Sequence, residues 1–545
     1  MANPSLQIGN DNWAIKEDNL LGYSTAGTRF VPQPITMTRA TLGTRVNPSG
    51  LVEDVELLGG ELVVNGDFSN GSTSWNKSTQ VTIENGVANI ISNDGSFQYF
   101  GQSNVTTIGK SYLLRYTIVS NNNGDLRFGN FGGINSSIGS HSFYFVADET
   151  SCNIARNSGI TDISIDNVSV KEATIDNLPR VDYTDGTSSL LVEPLRTNLV
   201  TYSEDFSQWG NTQVTIEPNA TTSPDGTLNA SRITPTTTSS VHLISTSGST
   251  TMAISIYAKS NGYHRFRFNS GSSGNGYASF DLNAGTVLNS GGTYYTSSSI
   301  DSVGNGWYRC TLVLTSGVAS VTTLAIEDNS GNVSFIGDGT SAIYTWGGQS
   351  EVGSYATSYI KTSGGTVTRV QETYEKTGIS DLINSEEGVL FFEMAALSDD
   401  GTLRCITLSD GGITNRVLII YDTQSNSIRA VVVSNAGTSF DELHTVTSTL
   451  DFHKIAIKWK LNDFALWIDG DEVATDTSGA APIGLDRIVF DVGNGTYDFY
   501  GKVKQLQIYK TALSDDELTI LTGTSGVHFF PSYASMASDL TYTIE

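Results

Sequence analysis

Residues 81–92 read VTIENGVANIIS and residues 251–260 read TMAISIYAKS, and these stretches show the pattern that decides the fold. Apolar residues occupy every second position in short runs, and clusters of Gly, Asn, Asp and Ser separate the runs. Such alternation places one face of an extended strand in a core and the other face in solvent. Because this rhythm fills most of the chain, the sequence predicts an all-β protein of tandem antiparallel β-sandwiches.

One helix is predicted, close to the C-terminus. It begins at Ser514, where Ser-Asp-Asp-Glu matches a capping box: the Ser514 hydroxyl accepts from the amide of Glu517, whose carboxylate reaches back. The helix should end near Leu521, before Gly523.

The composition bounds both the architecture and the partners. A chain of 545 residues is too long for one core and indicates about three or four domains of roughly 100 to 200 residues each. Asp and Glu number 56 against 30 Lys and Arg, so the formal net charge is −26. A surface this acidic repels nucleic acids and anionic lipids, and we expect neither as a partner.

Signals for export or membrane insertion are not readable in the chain. The N-terminal sequence MANPSLQIGNDNW has neither the basic nor the apolar region of a signal peptide, and no apolar run approaches the roughly 18 residues of a membrane span. Cys152, Cys310 and Cys405 are far apart and fall in different predicted domains, so no intradomain disulfide is expected. We therefore expect synthesis in a reducing cytosol without membrane insertion.

The domain boundaries follow changes in this rhythm. Residues 1–60 lack a clean strand rhythm and are marginal as an autonomous core, which predicts an extended anchor that orders against another surface. Beyond the anchor we predict a first β block at 61–172, an extended linker at 173–200, a second β block at 201–370, a third at 371–522 and a C-terminal tail at 523–545.

The first β block opens with ELVVNGDFSNGSTSWNK at 61–77 and closes with ISIDNVSVKE at 163–172. This pairing resembles the ends of carbohydrate-binding-module-like jelly rolls. The resemblance implies a structural calcium ion at Asp67 and Asp166, where the first and last strands meet. Ser69 stands where the family often has Glu, and without a metal these residues form a turn and a polar strand start.

Two further segments, TRATLGTRVNPSGLVEDV at 38–55 and LPRVDYTDGTSSLLVEPLRTNLVTYSEDFSQW at 178–209, together resemble one continuous stretch of tailed-bacteriophage tail-fibre and appendage proteins. We call these two segments the collar. Because the first β block separates them, residues 61–172 are interpreted as a jelly roll inserted into the collar. Arg196 and Asn198 are candidates for holding the collar together, with Arg196 on a carboxylate such as Glu193. The alternative is a solvated surface arginine.

The second β block ends in NGWYRCTLVLT at 305–315 and GTSAIYTWGGQSEVGSYATSYIKTSGGTVTR at 339–369, which is similar to the endings of the same phage proteins. The resemblance implies a second jelly roll. Trp307 and Tyr308, like Tyr344 and Trp346, have the spacing that alternates inward and outward positions, and aromatic residues of this kind generally pack the core.

The third β block contains DFHKIAIKWKLNDFALWIDGDEVATDT at 451–477 and YGKVKQLQIYKTALSDDELTILTG at 500–523, and it resembles the concanavalin-A-like or laminin-G-like lectin fold. Asp469-Gly470 is the predicted hairpin turn. Trp459, Trp467 and His453 are expected in the packing of strands rather than in a sugar site.

Catalysis is not expected. A glycosidase needs two carboxylates on one strand face, and no Glu-x-Asp-x-x-Glu run is present. The six histidines show no metal-ligand spacing, and no phosphate-binding loop of the Gly-x-x-x-x-Gly-Lys type occurs.

The resemblances favour a phage virion appendage, a tail or head fibre that presents glycan-binding sandwiches to the host surface. The alternatives are a structural or decoration protein of the particle that binds no sugar, and a bacterial surface polysaccharide-binding protein, which would need export. The candidate sugar platforms, each of which also fits a core position, are Trp75, Tyr99, Phe128, Tyr497 and Tyr500.

The expected partners follow from this interpretation. Other virion proteins should contact the N-terminal region, the protein should form a homotrimer, and a host-surface glycan is the candidate ligand. No cofactor is required beyond the candidate calcium ion. The expected location is the virion, after synthesis in the host cytoplasm.

Overall fold

The computed structural model describes residues 2–11, 13–16, 19–26, 29–246, 253–271, 274–315, 322–523 and 543–544. The all-β prediction is confirmed, because antiparallel strands in several sandwiches make up nearly all of the regular structure in these ranges. No helix within them is long and apolar enough to cross a membrane. The predicted C-terminal tail at 523–545 lies almost entirely outside the described residues.

Residues 57–174 form a sandwich that we call the inserted sandwich. Its entry strand Leu57–Glu61 pairs with its exit strand, so the two ends of the segment lie side by side. The hairpin of residues 81–92 turns at Asn85 and Gly86, both at positive φ, which matches the twist of the two strands. The strands are Leu57–Glu61, Asn76–Lys77, Val81–Glu84, Val87–Ser92, Tyr99–Gln102, Ser111–Phe128, Gly132–Gly133, Gly139–Val146 and Cys152–Thr174.

The collar contributes short strands that connect the sandwiches. Thr44–Val46 pairs with Val52–Asp54, and Arg196–Asn198 pairs with Val367–Arg369. Ser189–Val192 pairs with Val181–Asp182 on one side and with Gly501–Tyr509 on the other.

The second sandwich has two facing sheets around one apolar core. One sheet contains Gly210–Thr212, Ser239–Thr246, Arg265–Ser270, Tyr277–Asp281, Thr286–Gly291, Thr322–Glu327 and Ser334–Ile336. The other contains Val214–Thr222, Leu228–Pro235, Ala253–Asn261, Tyr295–Ser302, Trp307–Leu314 and Ala342–Glu351. A short 3-10 helix, Phe206–Gln208, precedes them.

The third sandwich holds the predicted hairpin and helix. Asp469 and Gly470 both have positive φ and join Phe464–Ile468 to Asp471–Asp476, as predicted. The helix Asp515–Thr522 has the predicted capping box on Ser514. The other strands are Thr373–Lys376, Glu387–Ala396, Arg404–Ser409, Arg416–Tyr421, Ser427–Ser434, Gly437–Thr445, His453–Lys460, Arg487–Val489, Gly501–Tyr509 and Thr543–Ile544.

The first strands of the predicted anchor, which was expected to order against another surface, pair with strands of the third sandwich. Leu6–Gly9 pairs along Gly501–Tyr509, and Leu6 and Ile8 are buried in the core of the third sandwich. Arg29–Thr38 runs from this sheet into the facing sheet, where it pairs with Thr373–Lys376. The remaining strands of this region are Ala14–Lys16 and Asn19–Ala26. The apolar residues of this region thus pack with strands from the other end of the chain. This explains why the sequence of residues 1–60 does not predict a core of their own.

The tryptophans and the histidine that were predicted to pack in the cores are buried there. Trp307, Trp346, Trp459 and Trp467 are all buried, and so is His453, whose Nδ1 lies 2.5 Å from Asp469 Oδ2. Cys152, Cys310 and Cys405 are free and buried, one in each sandwich.

Candidate functional site

Two of the five predicted sugar platforms are core residues. Trp75 is 6% exposed and Phe128 is 1% exposed, and both belong to the apolar core of the inserted sandwich. The Trp75 indole also donates to the Asn65 carbonyl at 2.9 Å. Neither ring offers a face to a ligand, so the prediction is wrong for these two residues. Core packing takes up the surface that a sugar would need.

Tyr99 lies on the opposite, outer side of the same sheet. It stands opposite Ala155, which stands opposite Arg127 on the next strand. Residues paired across strands share a face, so these three side chains point away from the core. Their neighbours Phe100 and Ile154 point inward and are fully buried.

An aromatic wall stands on this outer side. The rings of Phe97 and Tyr99 are stacked with centroids 5.9 Å apart and planes inclined by 25°. Phe97 is 59% exposed, which is unusual for such a large apolar side chain. Phe97 was not predicted from the sequence, although its i, i+2 spacing from Tyr99 is the signal that places both rings on one face.

Small residues form the floor beside the wall. Gly101 stands opposite Asn153 on the neighbouring strand. A Cβ atom at Gly101 would lie 2.1 Å from Asn153 Oδ1, so only glycine leaves room for that side chain to lie across the sheet. Together with Ala155 and Gly129, Gly101 leaves a surface cavity of about 690 Å³.

Polar groups form the rim of the cavity. Asn153 Nδ2 donates to Ser151 Oγ at 2.8 Å, and Ser151 Oγ donates to Glu149 Oε2 at 2.8 Å. Arg127 donates through Nε and Nη2 to the Gly129 carbonyl, at 3.0 and 2.8 Å. These bonds hold the side chains in place before any ligand arrives.

We call this region the aromatic face; it comprises Lys77, Phe97, Tyr99, Gly101, Arg127, Gly129, Glu149, Ser151, Asn153 and Ala155. A flat apolar wall beside fixed hydrogen-bonding groups suits a ring with one apolar side and polar substituents at its edge. A sugar ring has this chemistry.

The two tyrosines predicted in the third sandwich have different environments. Tyr500 packs against the core, its hydroxyl lies 3.2 Å from Asp498 Oδ2 and 3.3 Å from Gln371 Oε1, and burial raises its pKa. Tyr497 is 55% exposed and has a φ of 55°. Neither residue lies in the cavity of the aromatic face.

The predicted calcium ligands make local contacts. Asp67 Oδ1 accepts from the amide and the hydroxyl of Ser69, at 3.2 and 3.0 Å. Asp166 accepts from the amide and the side chain of Asn167. Among the described residues, no group of three or more His, Cys, Asp or Glu side chains is arranged to hold a metal ion. The calcium site stays a prediction.

The collar contains a buried ion network. Glu193 Oε2 lies 2.7 Å from Arg180 Nη1 and 3.0 Å from Arg369 Nη1, while Glu372 binds both Arg180 and Arg39. Although burial alone would raise the pKa of Glu193, Arg369 and Arg180 lower it well below its usual range. All five side chains are at most 3% exposed.

This network corrects the predicted pairing of Arg196 with Glu193. Arg196 instead donates to the Leu195 carbonyl and lies over the Tyr355 ring, 5.3 Å from its centroid. Asn198 does hold the collar: its Nδ2 donates to the carbonyls of Gly348 and Ile360, and its Oδ1 accepts from two amides, those of residues 200 and 350.

No protein-family model matches the chain, and no curated protein matches it. Among solved structures, the chain is similar to the CBM40 of Ruminococcus gnavus IT-sialidase bound to α2,3-sialyllactose, with 18% identity over 26% of this chain and 84% of that one and a TM-score of 0.23. It is also similar to Trypanosoma rangeli sialidase, with 10% identity over 96% and 100% of the two chains and a TM-score of 0.23. For the LG1-3 region of the laminin α2 chain the identity is 10%, the coverage 94% of each chain and the TM-score 0.17. Likenesses this distant define neither ligand nor activity.

Proposed function

We propose that this protein is a virion appendage of a tailed bacteriophage that attaches to a host-surface glycan through the aromatic face of the inserted sandwich. The observation that carries the proposal is the stacked pair Phe97 and Tyr99 beside a glycine floor and a prearranged polar rim. Sugar binding uses such aromatic faces together with a few precisely placed polar groups.

The collar supports the assignment to a phage particle. The resemblance to phage appendage proteins lies in two segments that are apart in sequence, and Arg39 of the first and Arg180 of the second bind the same carboxylate, Glu372. We therefore propose that residues 61–172 are a domain inserted into a continuous collar, between the anchor-region strands and the second jelly roll at 201–370.

The position of the N-terminal strands bears on how the protein would be oriented on the particle. Strands from both ends of the chain lie in the third sandwich, since Leu6–Gly9 pairs with Gly501–Tyr509. If the N-terminal region contacts other virion proteins, the third sandwich is the particle-facing end. In this proposal the inserted sandwich is the part that meets the host surface. The homotrimer stays a prediction.

A glycan array tests the binding function with the full-length protein. We expect the wild-type protein to bind a defined group of glycans, and Phe97→Ala/Tyr99→Ala to weaken that binding at least about tenfold, as central aromatic contacts generally do. Tyr294→Ala, which removes a partly exposed ring from the second sandwich, is the matched control and should bind as wild type. If the wild-type protein binds no glycan, the alternative of a decoration protein of the particle replaces this proposal.

A further inference from the structure

One cation of the aromatic face has no acidic partner. Arg127 lines the cavity on the same face as Tyr99, yet it forms no ion pair with any carboxylate among the described residues. The chain has 56 acidic residues for 30 basic ones, so carboxylates are in excess over the chain as a whole. In the same sandwich, Arg115 pairs with Glu56 at 2.7 Å and Lys110 pairs with Glu172 at 2.8 Å. Arg127 therefore lacks the acidic partner that these two neighbouring cations have.

The guanidinium of Arg127 is fixed in orientation. Nε and Nη2 both donate to the Gly129 carbonyl, which occupies one edge of the planar group. Arginine carries five N–H donors, so the edge formed by Nη1 and the second hydrogen of Nη2 still has donors to offer. Two parallel donors of this kind match the two oxygens of a carboxylate.

Glu149 and Lys77 bear on the charge of the cavity. Lys77 stands opposite the inward-facing Phe100, and its Nζ donates at 2.6 Å to the Val81 carbonyl, which does not line the cavity, so its charge is not counted with the outer face. Glu149 is the one carboxylate lining the cavity in the described structure, and it accepts from Ser151. The lining thus carries one arginine and one carboxylate, in a chain whose overall charge is −26.

We infer that the ligand of the aromatic face is an acidic sugar, whose carboxylate binds the open edge of Arg127 while its ring stacks on Tyr99 and Phe97. This inference rests on the proposed glycan-binding function and specifies the class of glycan. The carboxylate supplies the acidic partner that the protein does not, and the aromatic wall supplies the contact for the apolar side of the ring.

The experiment compares acidic glycans with neutralised copies of themselves. An array carries uronic-acid and other carboxylate-bearing glycans, each printed beside its methyl ester, together with neutral glycans. The full-length protein should bind the glycans that carry a free carboxylate and should not bind their methyl esters. Raising the salt concentration should weaken this binding, because a partly exposed ion pair is screened.

Three variants locate the contact. Arg127→Gln should lower affinity for acidic glycans about tenfold or more, since hydrogen bonds to charged groups are the stronger class. Arg127→Lys keeps the positive charge but loses the two parallel N–H donors of the guanidinium. Its affinity for acidic glycans should therefore lie between those of Arg127→Gln and the wild type. Arg156→Gln is the matched control: Arg156 belongs to the same sandwich, lies outside the cavity and donates to the Gly159 carbonyl.

The outcomes separate this inference from the proposed function. If the protein binds neutral glycans, and Tyr99→Ala removes this binding while Arg127→Gln does not change it, the inference of an acidic sugar is overturned. The proposed glycan-binding function would still stand. Absence of binding to every glycan, or binding that Phe97→Ala/Tyr99→Ala does not affect, would overturn both. If Arg127→Gln no longer binds acidic glycans while Arg156→Gln binds them as the wild type does, both the acidic-sugar inference and the glycan-binding function are supported.

Discussion

Arg180 shows how much a single side chain in the collar contributes. It is fully buried and binds two carboxylates, Glu193 and Glu372, as well as the Thr44 carbonyl. Arg39, Arg180 and Arg369 face Glu193, Glu372 and the nearby Glu351, so the buried charges balance. Removing one member of such a network leaves its partners buried and uncompensated.

We therefore expect Arg180→Ala to lower the free energy of unfolding by about 3 to 5 kcal/mol. Arg196→Ala is the control, because Arg196 has no carboxylate partner in the described structure and should cost about 1 kcal/mol or less. Urea unfolding of both variants measures the difference. Equal losses in the two variants would contradict the role assigned to the network.

Asp54 provides a prediction about pH. Burial raises its pKa to about 6; Lys361 opposes this shift, and Glu56 and Glu204 add to it. The folded state therefore holds the Asp54 proton more tightly than the unfolded chain does. Its contribution to stability is present at low pH and is lost as pH rises towards 6.

Asp54→Asn should accordingly stabilise the protein at pH 7, by on the order of 2 kcal/mol, and the gain should shrink towards pH 4. Glu56 remains in place in this variant and keeps its bonds to Arg115 and Tyr144. Thermal unfolding of wild type and variant between pH 4 and pH 7 measures the effect. A constant difference in melting temperature across that range would count against a raised Asp54 pKa.

The aromatic residues of the inserted sandwich show what the sequence leaves undecided. Tyr99 and Phe100 are adjacent, and a period of two requires one to point inward and the other outward, but it does not say which. Trp75 and Phe128 look in sequence like Tyr99, and only the packing of the folded sandwich shows that they face the core. The same ambiguity applies to Phe97, because its spacing of two from Tyr99 places both rings on one face without saying which face that is.

Among the elements, those defined by local chemistry were predictable. The Asp469-Gly470 turn and the Ser514 capping box depend on residues within four positions of each other, and both are present. The strand Leu6–Gly9 was not predictable, because its partner lies at the other end of the chain: Ser5 donates to the Ile508 carbonyl, 503 positions away. No local rule encodes such a pairing.

The N-terminal strand should be essential for the third sandwich. Ile8→Ala removes a side chain that is 3% exposed, and we expect a loss of about 2 to 4 kcal/mol in the free energy of unfolding. Deleting residues 1–11 should expose the edge of Gly501–Tyr509 and cause aggregation. Ile336→Ala, at a 68% exposed position of the second sandwich, is the control for methyl removal. A soluble deletion variant of unchanged stability would refute the pairing.

For the whole molecule, the sequence predicted the class of fold and the number of sandwiches, but not how they are joined. Residues of the two collar segments meet Glu372 in one buried network, so the sandwiches share a common junction. The third sandwich includes both ends of the chain. Truncation after Arg369 would therefore leave the N-terminal strands without their sheet, and full-length variants are the proper test.

If the protein is a phage appendage, as proposed, adsorption competition on bacteria that its phage infects is the decisive measurement for attachment through the aromatic face. Purified full-length protein is added before the phage, and the wild type is compared with Phe97→Ala/Tyr99→Ala and with Tyr294→Ala. We predict that the wild type and Tyr294→Ala block adsorption and that the double variant does not. If the double variant, still folded, blocks adsorption as well as the wild type does, attachment through the aromatic face is contradicted.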